Sequence, residues 1–114
     1  MKSTPSVSER AEIDLTNQYR WYLENAGETV AERFFAAFGT TVERLSNFPE
    51  LGRLRRFRDP QLTGMRSLRV GGPFAAHLIF YRHRDEGVSI ERVMHGARDL
   101  AKRLLEPPGS YNFP

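Results

Sequence analysis

Residues 65–100, MRSLRVGGPFAAHLIFYRHRDEGVSIERVMHGARDL, decide the fold. Three apolar-rich runs, 65–70, 74–82 and 88–94, are separated by Gly71-Gly72-Pro73 and by Asp85-Glu86-Gly87. Val, Ile, Phe and Tyr crowd these runs, and such side chains fit a pleated, half-buried surface. Glycine supplies the positive φ that a tight turn needs, and proline fixes φ behind two permissive residues. The runs are therefore expected to be consecutive antiparallel strands. In the middle run, Phe74, Ala76, Leu78 and Phe80 alternate with Ala75, His77, Ile79 and Tyr81. One set should meet a helical cover. The set carrying His77 and Tyr81 is expected to be thinly covered or to line a groove.

Upstream of the strands the period changes from two to between three and four. Ala11, Leu15, Tyr19, Tyr22 and Ala26 form an apolar stripe and predict a helix near 8–26. Ser6 followed by Glu9 has the form of a capping box, with Ser8 as the competing N-cap. Gly27 suits a helix stop. A second stripe, Val30, Phe34, Phe38, Val42 and Leu45, predicts a helix over 28–47, and Gly39 within it marks either a close crossing or nothing. So short a link forces an antiparallel helical hairpin, and its apolar face needs the sheet. Phe48-Pro49-Glu50-Leu51-Gly52 ends the hairpin. Residues 53–64 are an arginine-rich connection closed by Asp59-Pro60 and Gly64. Residues 98–105 suit a short amphipathic helix capped by Asp99, ahead of Pro107-Pro108. Residues 1–7 are an edge strand or a loose terminus, and 106–114 a tail. The expected fold class is α+β: an N-terminal antiparallel helical hairpin packed on a small antiparallel sheet, with a short C-terminal helix.

Composition narrows the function classes. A chain of 114 residues is expected to form a single domain, 1–114. It has no run of apolar residues long enough to cross a membrane, no apolar leader and no cysteine, which fits a cytoplasmic protein. There is no Gly-rich phosphate loop, metal-ligand spacing or nucleophile elbow, so neither a metal nor a cofactor is expected. The net charge of +3 is mild, but its distribution is not. Arg53, Arg55, Arg56, Arg58, Arg66 and Arg69 lie close together, opposed there only by Asp59. Arginine offers a planar fork suited to carboxylate or phosphate. These residues read either as a solvated basic face or as a contact surface for an acidic partner or nucleic acid.

Four segments, in order, resemble the ParE/RelE superfamily of bacterial toxins. Residues 8–15, SERAEIDL, are similar to its opening, and residues 45–52, LSNFPELG, to its hairpin exit. Residues 65–70 with 78–82 resemble its central strands, and residues 92–100, RVMHGARDL, its last strand and exit. The resemblance, over roughly 8–105, implies the helical hairpin on a sheet and a toxin neutralised by a cognate antitoxin within a hetero-oligomer. It leaves two functions open. ParE-like members act on DNA gyrase and lack a nuclease site, whereas RelE-like members cleave messenger RNA on the ribosome. The His95–Leu100 exit is more similar to the ParE side.

Cleavage of RNA through its own 2′-hydroxyl needs a base, an acid and cations for the charged transition state. If the chain is a nuclease, His95 would be the base and Arg66, Arg82 and Arg98 the cations. Against this, His95 at a strand end suits a structural bond to backbone, and Arg66 and Arg82 suit salt bridges to Asp85, Glu91 or Asp99. No catalytic set is favoured. Arg53, Arg55, Arg56, Arg58, Arg66, Arg69, His77 and Tyr81 are the candidate contacts for target or antitoxin. On the stripe assignment, Phe38→Ala should cost about 3–5 kcal/mol. A loss well below about 1 kcal/mol in chemical denaturation would displace Phe38 from the core.

Overall fold

A computed structural model describes residues 4–85 and 87–109. The expectations for residues 1–3, for Glu86 and for 110–114 lie outside the described residues. Strand β1 (Thr4–Val7) leads into helix α1 (Glu9–Asn25), helix α2 (Glu28–Asn47) and a two-residue strand β2 (Arg53–Leu54). A 3-10 turn (Pro60–Leu62) precedes β3 (Arg66–Arg69), and a second (Gly72–Phe74) precedes β4 (His77–Arg84). Strand β5 (Gly87–His95) and helix α3 (Leu100–Leu105) complete the α+β fold. The sheet order is β1-β5-β4-β3-β2. It is mixed rather than purely antiparallel, because β1 pairs parallel with β5.

The helices start and stop where the sequence chemistry allows. Ser8, not Ser6, is the N-cap of α1: its Oγ accepts from the Ala11 amide at 3.0 Å. Gly27 joins the helices at φ 94°, a region an L-residue avoids. Gly39 marks no close crossing, since a Cβ there would meet nothing within 4 Å. Asp99 occupies the N-cap position of α3 in the left-handed region, at φ 53°, and its side chain makes no capping bond. The carboxylate cap expected there is therefore absent; the backbone of Asp99 makes the turn instead.

The middle strand begins at His77, three residues later than expected, because Gly72–Phe74 forms a turn. This changes which face is which. The hairpin covers Ile79 and Tyr81 together with Val88, Ile90 and Val93, against Phe34, Phe38 and Leu45. Phe74 belongs to that same core, since the turn swings it under the helices. The opposite face, with Leu78, Phe80 and Met94, is covered by Leu62, Met65, Leu100 and Leu104. The face carrying His77 and Tyr81 is thus the best covered of the two, not an open groove; both residues are 0% exposed. A β-bulge helps to build it. The register passes from Phe80↔Arg92 to Tyr81↔Ile90, so Glu91 is the extra residue.

Helix α1 is rotated from the expected stripe. Its buried residues are Ala11, Asp14 and Gln18. The polar ones are there because β1 stops at Val7 while β5 runs on to His95, leaving the outer edge of β5 without a strand. The Ser8 hydroxyl donates to the Glu91 carbonyl at 2.8 Å. Asp14 Oδ2 accepts from the Val93 amide at 3.0 Å, and Gln18 Nε2 donates to the Val93 carbonyl at 2.8 Å. The buried Asp14 carboxylate is matched by Arg92, whose Nε and Nη2 approach its two oxygens at 2.7 and 3.1 Å. Arg92 Nη1 donates to the carbonyls of Arg103, Leu104 and Glu106 and so ties α3 to the sheet.

Gln18 extends the network inward. Because its amide nitrogen donates to Val93, its Oε1 faces His77 Nδ1 at 2.8 Å, and His77 Nδ1 must carry the proton. His77 Nε2 then accepts from the Tyr22 hydroxyl at 2.8 Å. Tyr81 closes the other end of the interface. Its hydroxyl donates to the Pro49 carbonyl and accepts from the Gly52 amide, both at 2.8 Å. Gly52 has no room for a side chain: a Cβ would lie 2.5 Å from the Tyr81 hydroxyl and 2.9 Å from the Ser67 carbonyl.

Two outcomes follow from these buried polar groups. Asp14→Ala leaves Arg92 buried without its anion and should cost about 3–5 kcal/mol, read by urea denaturation. Burial, with His95 nearby, pushes the His77 pKa down to about 3. The folded ring stays neutral while the unfolded chain takes up a proton below its ordinary value of about 6.5. Stability is therefore complete above that value and falls as pH drops toward 3, by about 1.4 kcal/mol per pH unit from this group. Denaturation midpoints at neutral and mildly acidic pH check this; equal midpoints would mean that the folded ring accepts the proton.

Candidate functional site

The arginine-rich connection folds into the edge of the sheet. The ladder sets Arg53 opposite Ser67 and Leu54 opposite Arg66, and Ser67 in turn opposite Phe80. Arg55 Nε donates to the Ser67 hydroxyl at 2.8 Å, and its guanidinium lies 5.8 Å from the centre of the Phe80 ring. Arg53, Arg55 and Arg69 gather on the α3 side of this edge. Burial, and then the charges of Arg53 and Arg69, hold the Arg55 pKa below its usual value. Arg56 and Arg58 are exposed on the segment that follows. Like charges kept this close are electrostatically unsatisfied toward solvent and suited to an anionic partner.

The remaining cations have local structural roles. Arg66 Nη1 donates to the carbonyls of Gly52 at 2.9 Å and Glu50 at 3.3 Å. Arg69 Nη1 donates to the Ala75 carbonyl at 2.7 Å. Arg82 pairs with Glu91 at 3.3 Å and donates to the carbonyls of Thr63 and Gln61, clasping the first 3-10 turn. Arg98 is exposed in the loop before α3, and its carbonyl accepts from Arg103.

The four residues named for a nuclease do not converge. His95 pairs with His77 at one end of β4, while Arg66 pairs with Tyr81 toward the other. Four strand residues separate those positions, roughly 13 Å. Arg82 lies one residue farther and points to the α3 side, whereas the His95 ring packs on His77 at 4.9 Å beneath the hairpin. Burial and the charge of Arg103 push the His95 pKa down. Only Arg98 is near His95, linked through Arg103, which donates to both carbonyls. Among the described residues no group of three or more His, Asp or Glu side chains is placed to hold a metal ion. His77 and Tyr81, expected as partner contacts, are sealed under the hairpin and reach no surface.

The surface also holds groups that composition did not single out. Phe48, Leu51 and Leu54 are large, apolar and exposed, and all belong to the segment that leads from α2 into the edge. Their signal in the sequence is three apolar residues spaced by three around Pro49 and Gly52, across the hairpin exit and the start of the arginine-rich connection. Asp14 and Gln18 on α1 and Arg92 on β5 carried no apolar signal, because a buried polar residue breaks an apolar stripe; the spacing of Ala11, Asp14 and Gln18 is nonetheless that of one helix face.

Comparison with known proteins agrees with this architecture. The family described as the ParE toxin of the type II toxin-antitoxin system, parDE, matches residues 6–100. No curated protein matches the sequence. A solved structure of the chromosomal ParDE TA system from P. aeruginosa contains a chain similar to this one, with a TM-score of 0.68 and 19% identity. The alignment covers 84% of this chain and 98% of that one, and at such identity the likeness is one of fold. With the family's match running from the first strand to the start of the last helix, the chain belongs to the ParE toxin family of type II toxin–antitoxin systems.

Proposed function

We propose that residues 1–114 form a single toxin domain that arrests growth by binding DNA gyrase in the cytoplasm, and that a cognate antitoxin neutralises it in a hetero-oligomer. One observation carries the choice of a binding mechanism: His95 lies toward the opposite end of β4 from the cations Arg66 and Arg82, and Arg82 also points to the other face of the sheet. An RNA-cleaving site needs its base and its charge-stabilising groups around one phosphate. Membership in the ParE toxin family supports gyrase rather than the ribosome as the target. Arg53, Arg55, Arg56, Arg58, Arg66 and Arg69 are the recognition surface on this reading, used for encounter and register rather than for chemistry. No helix among the described residues is long and apolar enough to cross a membrane.

The purified protein, mixed with gyrase, ATP and supercoiled plasmid, should raise the fraction of DNA trapped as cleaved complexes. His95→Ala, folded by circular dichroism, should do the same and should still arrest growth. Transcript cutting at ribosomes by the parent, lost in His95→Ala, would replace this reading with the RelE-type nuclease.

A further inference from the structure

Helix α2 and the second 3-10 turn enclose a cleft of about 470 Å³. Arg33, Ala37, Thr40 and Arg44 line one wall, and Gly71, Gly72 and Pro73 the other. The helical positions recur at steps of four, three and four, so they share one stripe of α2. The acids of this helix, Glu28, Glu32 and Glu43, fall on another side. No acid stands three or four residues from either arginine, where a helix would pair them. Both arginines are exposed, and among the described residues neither guanidinium enters an ion pair. Arg44 lies in the last turn of α2, where a cation complements the helix dipole. Arg33, in the second turn, gains nothing of that kind.

The opposite wall is bare. Gly72 sits at φ 64°, a conformation that calls for glycine. Gly71 has no such reason. Its φ of -74° and ψ of 166° are extended backbone that any residue adopts, and a Cβ there would meet nothing within 4 Å. The effect of glycine at 71 is to let another molecule come close to the main chain. The exposed apolar surface between the walls is small, being that of Ala37 and Pro73, since Phe74 is buried.

These groups select an occupant. Phosphates in protein–DNA complexes are held by arginines, hydroxyls and backbone amides, and the cleft offers such groups with no carboxylate among them. Arg33 and Arg44 are eleven residues apart, roughly 16 Å along the helix axis. One phosphate cannot meet both. A duplex carries a charge about every 1.7 Å of its axis and meets both together. An acidic protein surface would need an apolar centre that this cleft lacks, whereas a sugar can rest on Ala37 and Pro73. We infer that the cleft between α2 and the Gly71-Gly72-Pro73 turn binds the sugar–phosphate backbone of duplex DNA, with Arg33 and Arg44 on separate phosphates. This goes beyond the proposed function and does not rest on it. On the gyrase reading, it adds a contact to the DNA which that enzyme holds.

The test uses the purified protein and a short labelled DNA duplex, read by fluorescence anisotropy across a salt series, with gyrase and antitoxin absent. Arg33→Gln/Arg44→Gln removes two phosphate contacts. It should weaken binding by about tenfold or more at low salt and lower the slope of log affinity against log salt by about 1.8. Gly71→Asp sets a carboxylate on the bare wall at a φ that suits it, and it should weaken binding by about tenfold without touching an arginine. Both variants should keep the parent's midpoint in urea, since the replaced side chains are exposed. No binding of the duplex by the parent, or unchanged affinity and slope in both variants, overturns the inference. Loss confined to Arg53→Gln/Arg56→Gln overturns it in favour of the sheet edge. A polyglutamate peptide or a single-stranded RNA bound more tightly than the duplex, and lost in the same variants, overturns it in favour of an acidic protein or RNA. A urea midpoint lowered in both variants makes these positions structural and overturns it too. Failure of the gyrase assay with DNA binding intact leaves this inference standing and removes only the gyrase reading.

Discussion

The backbone of Val93 is the constraint on which the rest of the structure depends. Strand β5 extends past the end of β1, so the Val93 amide and carbonyl face outward with no strand to meet them. A buried backbone pair left unbonded would be costly. Helix α1 meets the need with side chains, Asp14 for the amide and Gln18 for the carbonyl. Each solution creates a further demand. The Asp14 carboxylate requires a cation, which Arg92 supplies, and the spare nitrogen of Arg92 gathers the last carbonyls of α3. The Gln18 oxygen requires a donor, which fixes the tautomer of His77 and, through it, the Tyr22 hydroxyl. One interrupted edge thus sets the rotation of α1, the docking of α3 and the polar seam under the hairpin.

That chain of demands also explains what the sequence did and did not disclose. The order of helices and strands was legible, because apolar periodicity and glycine or proline punctuation are local signals. Helix α2 begins and ends as its stripe predicts, at Glu28 and Asn47. The facing of β4 was not legible. Alternation assigns residues to two faces but does not say which face receives the hairpin, and counting from Phe74 hid the turn that detaches it from the strand. The rotation of α1 was hidden for a different reason. Its buried positions are chosen by hydrogen bonds to a strand some eighty residues away, and no local pattern encodes that distance.

The candidate site was legible as composition and not as geometry. The arginines of residues 53–69 stand out in the sequence, but only the ladder separates Arg53, Arg55 and Arg69 on one side of the sheet from Arg66 on the other. The same ladder keeps His95 far from Arg66 and Arg82, a separation that no spacing in the sequence announces. Exposed apolar residues are harder still. Leu54 looks like any leucine until the sheet ends beside it.

The contact between Gly52 and Tyr81 reaches beyond this one chain. The ring and hydroxyl of Tyr81 fill the space where any side chain at position 52 would begin, and its hydroxyl needs the amide of Gly52 as a donor. The two positions are therefore not free to drift separately through sequence space. Enlarging residue 52 is tolerable only after residue 81 has shrunk, and shrinking residue 81 first opens a cavity and releases the hairpin exit. Each single step costs stability before the second can restore it, so the pair forms a ratchet that resists change one residue at a time at the junction of hairpin and sheet edge.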